Sequence, residues 1–421
     1  MKNDFDPNAG RADWNAPFGH LRMFVTLMVV AHHAVLAYLP MSPPPATSLD
    51  PGLYWAAFPI VDSAKWKGIE LFVTFNDTFF MSLMFLISGL FVWPALRRKG
   101  TAAFLRDRAL KLGVTFVVGA GLLAPLAYSA TYAAIDAPQG SFWSQWLSIG
   151  KWPAGPAWFL WVLLAFGCAA ALVHALAPSR LEAFGRIAGR FGERPALFFV
   201  ALVLVSSIGY LPMAAAFNPM EWFGAGPFFV QTSRVAHYAI YFIAGVALGA
   251  FGVNRGLLST DGRLARRWPL WIATSLVLFA VAITTWVIIL STIPNGGPGL
   301  ALRSLGNFAF TLTCAATSLA FVAIALRFAR RSNAIADSLG ANAFGIYLVH
   351  YACTTWLQFA LLDVPLSGAA KGSLVFLSAV VASWLVSALL GRIPVIGRIL
   401  GNARPTPTSR TTSPGGLADA A

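Results

Sequence analysis

Ten long apolar stretches, each able to cross a bilayer, run the length of this 421-residue chain with only short polar connections between them. Hydrocarbon offers no partner to a backbone N–H or C=O, so each such stretch is confined to a helix that closes its own hydrogen bonds. The expected spans cover about 21–39, 71–93, 110–132, 156–176, 196–213, 235–251, 268–290, 305–326, 341–361 and 373–390. Hydrophobic residues make up 57% and charged residues 11%, which excludes an ordinary soluble protein. The fold expected is an all-α integral membrane protein of about ten transmembrane helices. A polar cytoplasmic N-terminus (1–20) precedes the ten-span domain (21–398), and a Pro-, Thr- and Ser-rich segment from Arg404 marks a disordered cytoplasmic tail (399–421). The first span lacks a small-residue cleavage site after it and is expected to be retained.

The net charge of +14 invites a nucleic-acid reading, but the positions of the charges exclude it. Of 30 Lys and Arg, six (Lys65, Lys67, Lys151, Arg234, Arg303 and Lys371) fall outside or at the outer edge, leaving 24 inside if both termini are cytoplasmic. That asymmetry is the positive-inside rule, and it orients the chain. The outer connections are rich in aromatics, including Trp55 and Trp66, and the longest also carries Asp62 and Glu70. Interfacial belts and sugar-binding grooves use the same residues, so both readings stand. Gly245 and Gly249 form a small-xxx-small pair suited to close helix packing.

Chemistry concentrates in the first span. Arg22 and His33 are eleven positions apart, almost three whole turns, and therefore share a helical face about 16 Å apart. His32 points about 100° away. Ionisable groups at membrane depth mark sites or pathways, although a snorkelling Arg with a hydrogen-bonded core His fits the same spacing. Arg108 and Lys111 share a face at the start of the third span, where a guanidinium fork suits phosphate. Asp77 lies within the second span, placed either to meet an imidazole or to sit at the water boundary. His350 lies near mid-depth in the ninth span, whereas His174 and His237 sit nearer the edges and read as structural. No cluster has metal-ligand spacing, and no Gly-rich phosphate loop is present.

Five motifs occur in order: Arg22-x10-His33, Phe85-Leu-Ile-Ser-Gly89, Arg108-x-x-Lys111, Trp158-Phe-Leu160 and Gly345-Ile-Tyr-Leu-Val-His350. Together with the topology they resemble the membrane acyltransferase-3 family, ten-span enzymes that O-acylate sugars, over about 21–398. Within that family the chain is similar to the branch that adds succinyl groups to periplasmic glucans. The resemblance implies a location in the inner membrane and no permanently bound cofactor. Acyl-CoA is the implied donor from the cytoplasm, and the implied acceptor is a hydroxyl of an extracytoplasmic or lipid-linked saccharide. It implies that Arg22 and His33 are the essential pair, and that Arg22, Arg108 and Lys111 hold the CoA phosphates. Lys111 departs from the second arginine common at that turn. A histidine with a pKa near ~6.5 suits a general base, with Asp77 or His350 orienting its ring. A transporter or flippase for an acidic or glycosylated substrate shares the apolar spans and basic inner mouth, and is the alternative.

Overall fold

The computed structural model describes residues 16–49, 57–330 and 333–401. Trp55 and the segment from Arg404 lie outside them. The chain is almost entirely helical. Helix α1 (Ala16–Val35) continues as a 3-10 turn, Leu36–Tyr38, and α2 (Ile69–Leu90) runs into a short helix, Val92–Lys99. The third span, α3 (Thr101–Ala133), is followed by α4 (Trp158–Leu176), α5 (Pro178–Gly189), α6 (Pro195–Ala216) and α7 (Val235–Phe251). The chain then forms α8 (Trp268–Thr292), α9 (Leu300–Phe328), α10 (Ala334–Ala360), α11 (Gly368–Leu390) and α12 (Pro394–Leu400).

Nine helical stretches among the described residues are long and apolar enough to cross a membrane. They coincide with nine of the ten expected spans, so the protein is a multi-pass membrane protein. The expected ninth span, 341–361, lies in α10, whose 27 residues give it ample length. Its composition sets it apart: Asp337, Asn342, His350, Thr354 and Gln358 interrupt the apolar run. Packed against α1, α3 and α11, it turns these groups inward and needs less apolar surface than a lipid-facing helix.

The helical structure runs past two of the expected boundaries. Residues 16–20 belong to α1 rather than to a polar extension, because Phe18 is buried and the His20 ring lies 3.2 Å from Asp337 on α10. The C-terminal boundary moves as well, since α12 extends to Leu400 before Gly401 ends it with φ +80°. A φ of that sign is open to glycine at little cost.

Helix α1 is the hub, contacting α2, α9, α10 and α11. Helices α2 and α7 approach through glycines. A Cβ on Gly245 would stand 2.1 Å from the Leu86 carbonyl oxygen, and one on Gly249 would stand 2.0 Å from that of Leu90. The small-xxx-small pair thus removes side chains where two backbones touch. Hydroxyl pairs join other helices, Ser207 to Thr311 at 2.8 Å and Ser275 to Thr317 at 2.6 Å. The aromatic connection before α7 folds as a hairpin, β1 (Trp222–Ala225) and β2 (Phe228–Gln231). It is tied to α4 by the Trp161 indole N–H, which donates to the Phe229 carbonyl at 2.9 Å.

Candidate active site

His33 sits two residues before the end of α1, where the helix tightens into its 3-10 turn and loses partners for its last carbonyls. Gln358 of α10 fills that gap: its Nε2 donates to the carbonyls of His33 at 2.9 Å and Ala34 at 3.1 Å. The backbone carrying His33 is thereby fixed to the helix that carries His350.

The two imidazoles meet. His350 Nε2 lies 3.2 Å from His33 Nδ1, and the ring centroids are 5.1 Å apart. Their tautomers follow from carbonyl partners, which only accept. His33 Nδ1 is 2.9 Å from the Val29 carbonyl and His350 Nδ1 is 2.7 Å from that of Tyr347, so both neutral rings carry hydrogen on Nδ1. His350 Nε2 then offers a lone pair to the His33 Nδ1–H, which is shared with Val29. His33 Nε2 is left as a bare acceptor, with no hydrogen bond among the described residues, on a ring that remains partly accessible. Tyr351 presents its ring to His33 edge-on at 5.1 Å, and its hydroxyl lies 3.5 Å from that of Tyr128 on α3. His32 turns away as its helical position requires and stacks on Phe80 at 5.3 Å.

Asp77 does not reach His33 through a hydrogen bond. Arg234 grips its carboxylate, with Nη1–Oδ1 at 3.1 Å and Nη2–Oδ2 at 2.6 Å. Arg234 Nη1 also donates to the Asp77 carbonyl at 3.0 Å, and the guanidinium lies 4.8 Å from the Phe310 ring centroid. The 3-10 turn Thr232–Arg234 delivers Arg234 into the bundle, 5% exposed, at the head of α7. The planar guanidinium fork matches the two oxygens of a carboxylate. The Asp77 side chain stays 45% exposed beside the 6% exposed Arg234 side chain, so it faces open space.

The basic groups gather at the other end of the α1 face. Lys111 lies within electrostatic range of Arg22, Arg108 and Lys99. Of these, Lys99 is paired with Asp107 at 2.5 Å. Arg22, Arg108 and Lys111 form no salt bridge among the described residues, and Arg22 is exposed. The Arg108 guanidinium packs 5.0 Å from the Phe104 ring and the Lys111 ammonium 5.1 Å from Phe344. Lys111 sits in a π-helical turn, Ala109–Val114, and a second such turn, Gly119–Leu123, borders Tyr351. Such turns recur at functional sites because the extra residue re-aims the side chains around it.

The structure thus brings Arg22, Arg108 and Lys111 together at one end of α1 and His33 and His350 at the other, and leaves Asp77 with Arg234. Sequence reasoning missed Gln358, Tyr351 and the role of Arg234 as a partner. Tyr351 adjoined a motif already singled out, but Gln358 carried no signal.

The acyltransferase-domain model of the acyltransferase-3 family matches residues 18–392. No curated protein and no solved structure gave a match to the chain.

Proposed function

Because the chain belongs to the acyltransferase-3 family and is a membrane acyltransferase, we propose that it moves an acetyl or succinyl group from cytoplasmic acyl-CoA to a saccharide hydroxyl. The acceptor in this reading is extracytoplasmic or lipid-linked, a periplasmic glucan being one such molecule. Ten spans hold both termini in the cytoplasm, and the membrane is the inner one. The observation that carries the reading is the His33 ring, anchored through Nδ1 with Nε2 bare.

His33 Nε2 accepts the proton of the acceptor hydroxyl as its oxygen attacks the thioester carbonyl. The positive charge that forms on the ring strengthens the hydrogen bond from Nδ1 to His350 Nε2. Collapse of the tetrahedral intermediate breaks the C–S bond, and the departing CoA thiolate takes the proton back from Nε2. No net proton is consumed, so one imidazole serves as base and then as acid. Arg22, Arg108 and Lys111 hold the phosphates of CoA at the inner end, a placement supported by three cations without a carboxylate partner. An arginine fork binds phosphate through two hydrogen bonds, whereas Lys111 contributes a point charge. His350 takes the orienting role, because Asp77 is committed to Arg234.

The test is transfer of isotopically labelled acyl from acyl-CoA to membrane saccharide by the purified protein. Label recovered as a base-labile sugar ester supports the reading. A protein that needs no acyl-CoA and moves the saccharide across the bilayer would replace it with the transporter.

A further inference from the structure

The inner end of the bundle carries a second basic surface, built by different elements from Arg22, Arg108 and Lys111. A cavity of about 600 Å³ is lined by Arg97, Arg186, Arg190 and Arg255 with Trp93 and Phe251 among the apolar walls. Glu182 is the one carboxylate in the lining, so four guanidinium groups face one acid. None of the four arginines forms an ion pair among the described residues.

Positive-inside signalling explains why these arginines are on this side, but not why they converge. Arg97 comes from the short helix after α2, Arg186 from α5 and Arg190 from its C-cap one turn on, and Arg255 from the turn after α7. The convergence depends on glycines. A Cβ on Gly185 would lie 3.0 Å from that of Ala250, and one on Gly189 would lie 2.6 Å from the Phe251 ring. Helix α5 therefore lies tight against the end of α7, and Arg186 and Arg190 line the same concavity as Arg97 and Arg255. Four like charges gathered around one acid repel unless a further anion joins them.

We propose that this cavity binds the headgroup of an acidic phospholipid. A volume of this size suits a small-molecule group rather than one ion. What favours a lipid over a soluble phosphate is the setting. Helix α5 exposes Phe184 (38%) and Ile187 (47%) beside the arginines, the pattern of a helix lying in the membrane interface. Trp93 and Phe251 in the wall offer apolar contact at the headgroup boundary. Basic pockets between helices on the cytoplasmic side hold anionic headgroups by this combination. The bound lipid joins three segments that otherwise repel one another, and the site is independent of the transfer chemistry.

The experiment is lipid binding to the full-length protein in detergent, read by native mass spectrometry with phosphatidylglycerol and phosphatidylcholine. Phosphatidylglycerol is expected to bind in preference, and Arg186→Gln/Arg190→Gln to weaken it by about tenfold or more. Arg97→Gln/Arg255→Gln, drawn from the other two segments, is expected to do the same and serves should the first pair fail to fold. Arg266→Gln/Arg267→Gln, outside the lining, leaves binding unchanged. Equal binding of the two lipids, or equal weakening by the outside pair, would overturn the proposal. Displacement of the lipid by millimolar inorganic phosphate would overturn it too, in favour of a soluble anion.

Discussion

His350 Nε2 lies 3.2 Å from His33 Nδ1 across 317 positions of sequence, and the carbonyls of Tyr347 and Val29 set which nitrogens carry hydrogen. A ring held this way presents one nitrogen to a substrate and keeps the other for support. His350→Ala removes the support and frees the ring to rotate. Misplacement on this scale costs about 100-fold in kcat, with KM for acyl-CoA little changed. Steady-state kinetics on the variant checks the split. His350→Asn, which retains an acceptor for Nδ1–H, is expected to recover part of the loss.

Arg108→Ala and Lys111→Ala are expected to act on the donor. Each removes one charge-assisted contact to phosphate, worth about 1.5–3 kcal/mol, and so raises KM for acyl-CoA by about 10- to 100-fold with kcat nearly constant. Lys111→Arg restores a fork and is expected to lower KM. Titration with CoA lacking its 3′-phosphate separates the contacts to the two ends of the nucleotide.

The Asp77–Arg234 pair is expected to matter for stability before chemistry. Asp77→Ala leaves a 5% exposed guanidinium without its carboxylate. Stranding a buried charge costs about 3–5 kcal/mol, and the partial exposure of Asp77 places this case at the lower end. Thermal unfolding in detergent should show the loss, and Asp77→Ala/Arg234→Met should return most of it.

A second buried pair holds the connection between α1 and α2. Lys371 Nζ donates to Asp62 Oδ2 at 2.7 Å with both residues 1% exposed, and also to the Leu362 carbonyl at 3.0 Å. The same connection bonds to the end of α1, Asp62 N–H to Ala37 O at 3.0 Å and Trp66 N–H to Tyr38 O at 2.8 Å. Lys371→Met is therefore expected to destabilise by about 3–5 kcal/mol and to expose the 57–68 connection to protease. Limited proteolysis of wild type and variant reads this directly.

Much of this was legible in the chain. Arg22 and His33 share a face because eleven residues are close to three turns, and nine of the ten expected spans coincide with helices that composition alone marks as membrane-crossing. What stayed hidden is of two kinds. Pairings between distant helices, such as Asp77 with Arg234 and Gln358 with the His33 carbonyl, leave no trace in periodicity. Changes of hydrogen-bond register, such as the π turns around Lys111 and Gly119–Leu123, leave none in composition. Helix α10 shows a third limit: the polar groups that make it part of the site also keep it from reading as strongly apolar.

The most direct test of the account is free CoA released from acetyl- and succinyl-CoA by purified protein, with His33→Ala measured alongside. Turnover of one donor is expected in the presence of acceptor glycan, with a fall of about 100- to 10,000-fold in a His33→Ala protein that unfolds at the same temperature as wild type. Full turnover by that variant would contradict it.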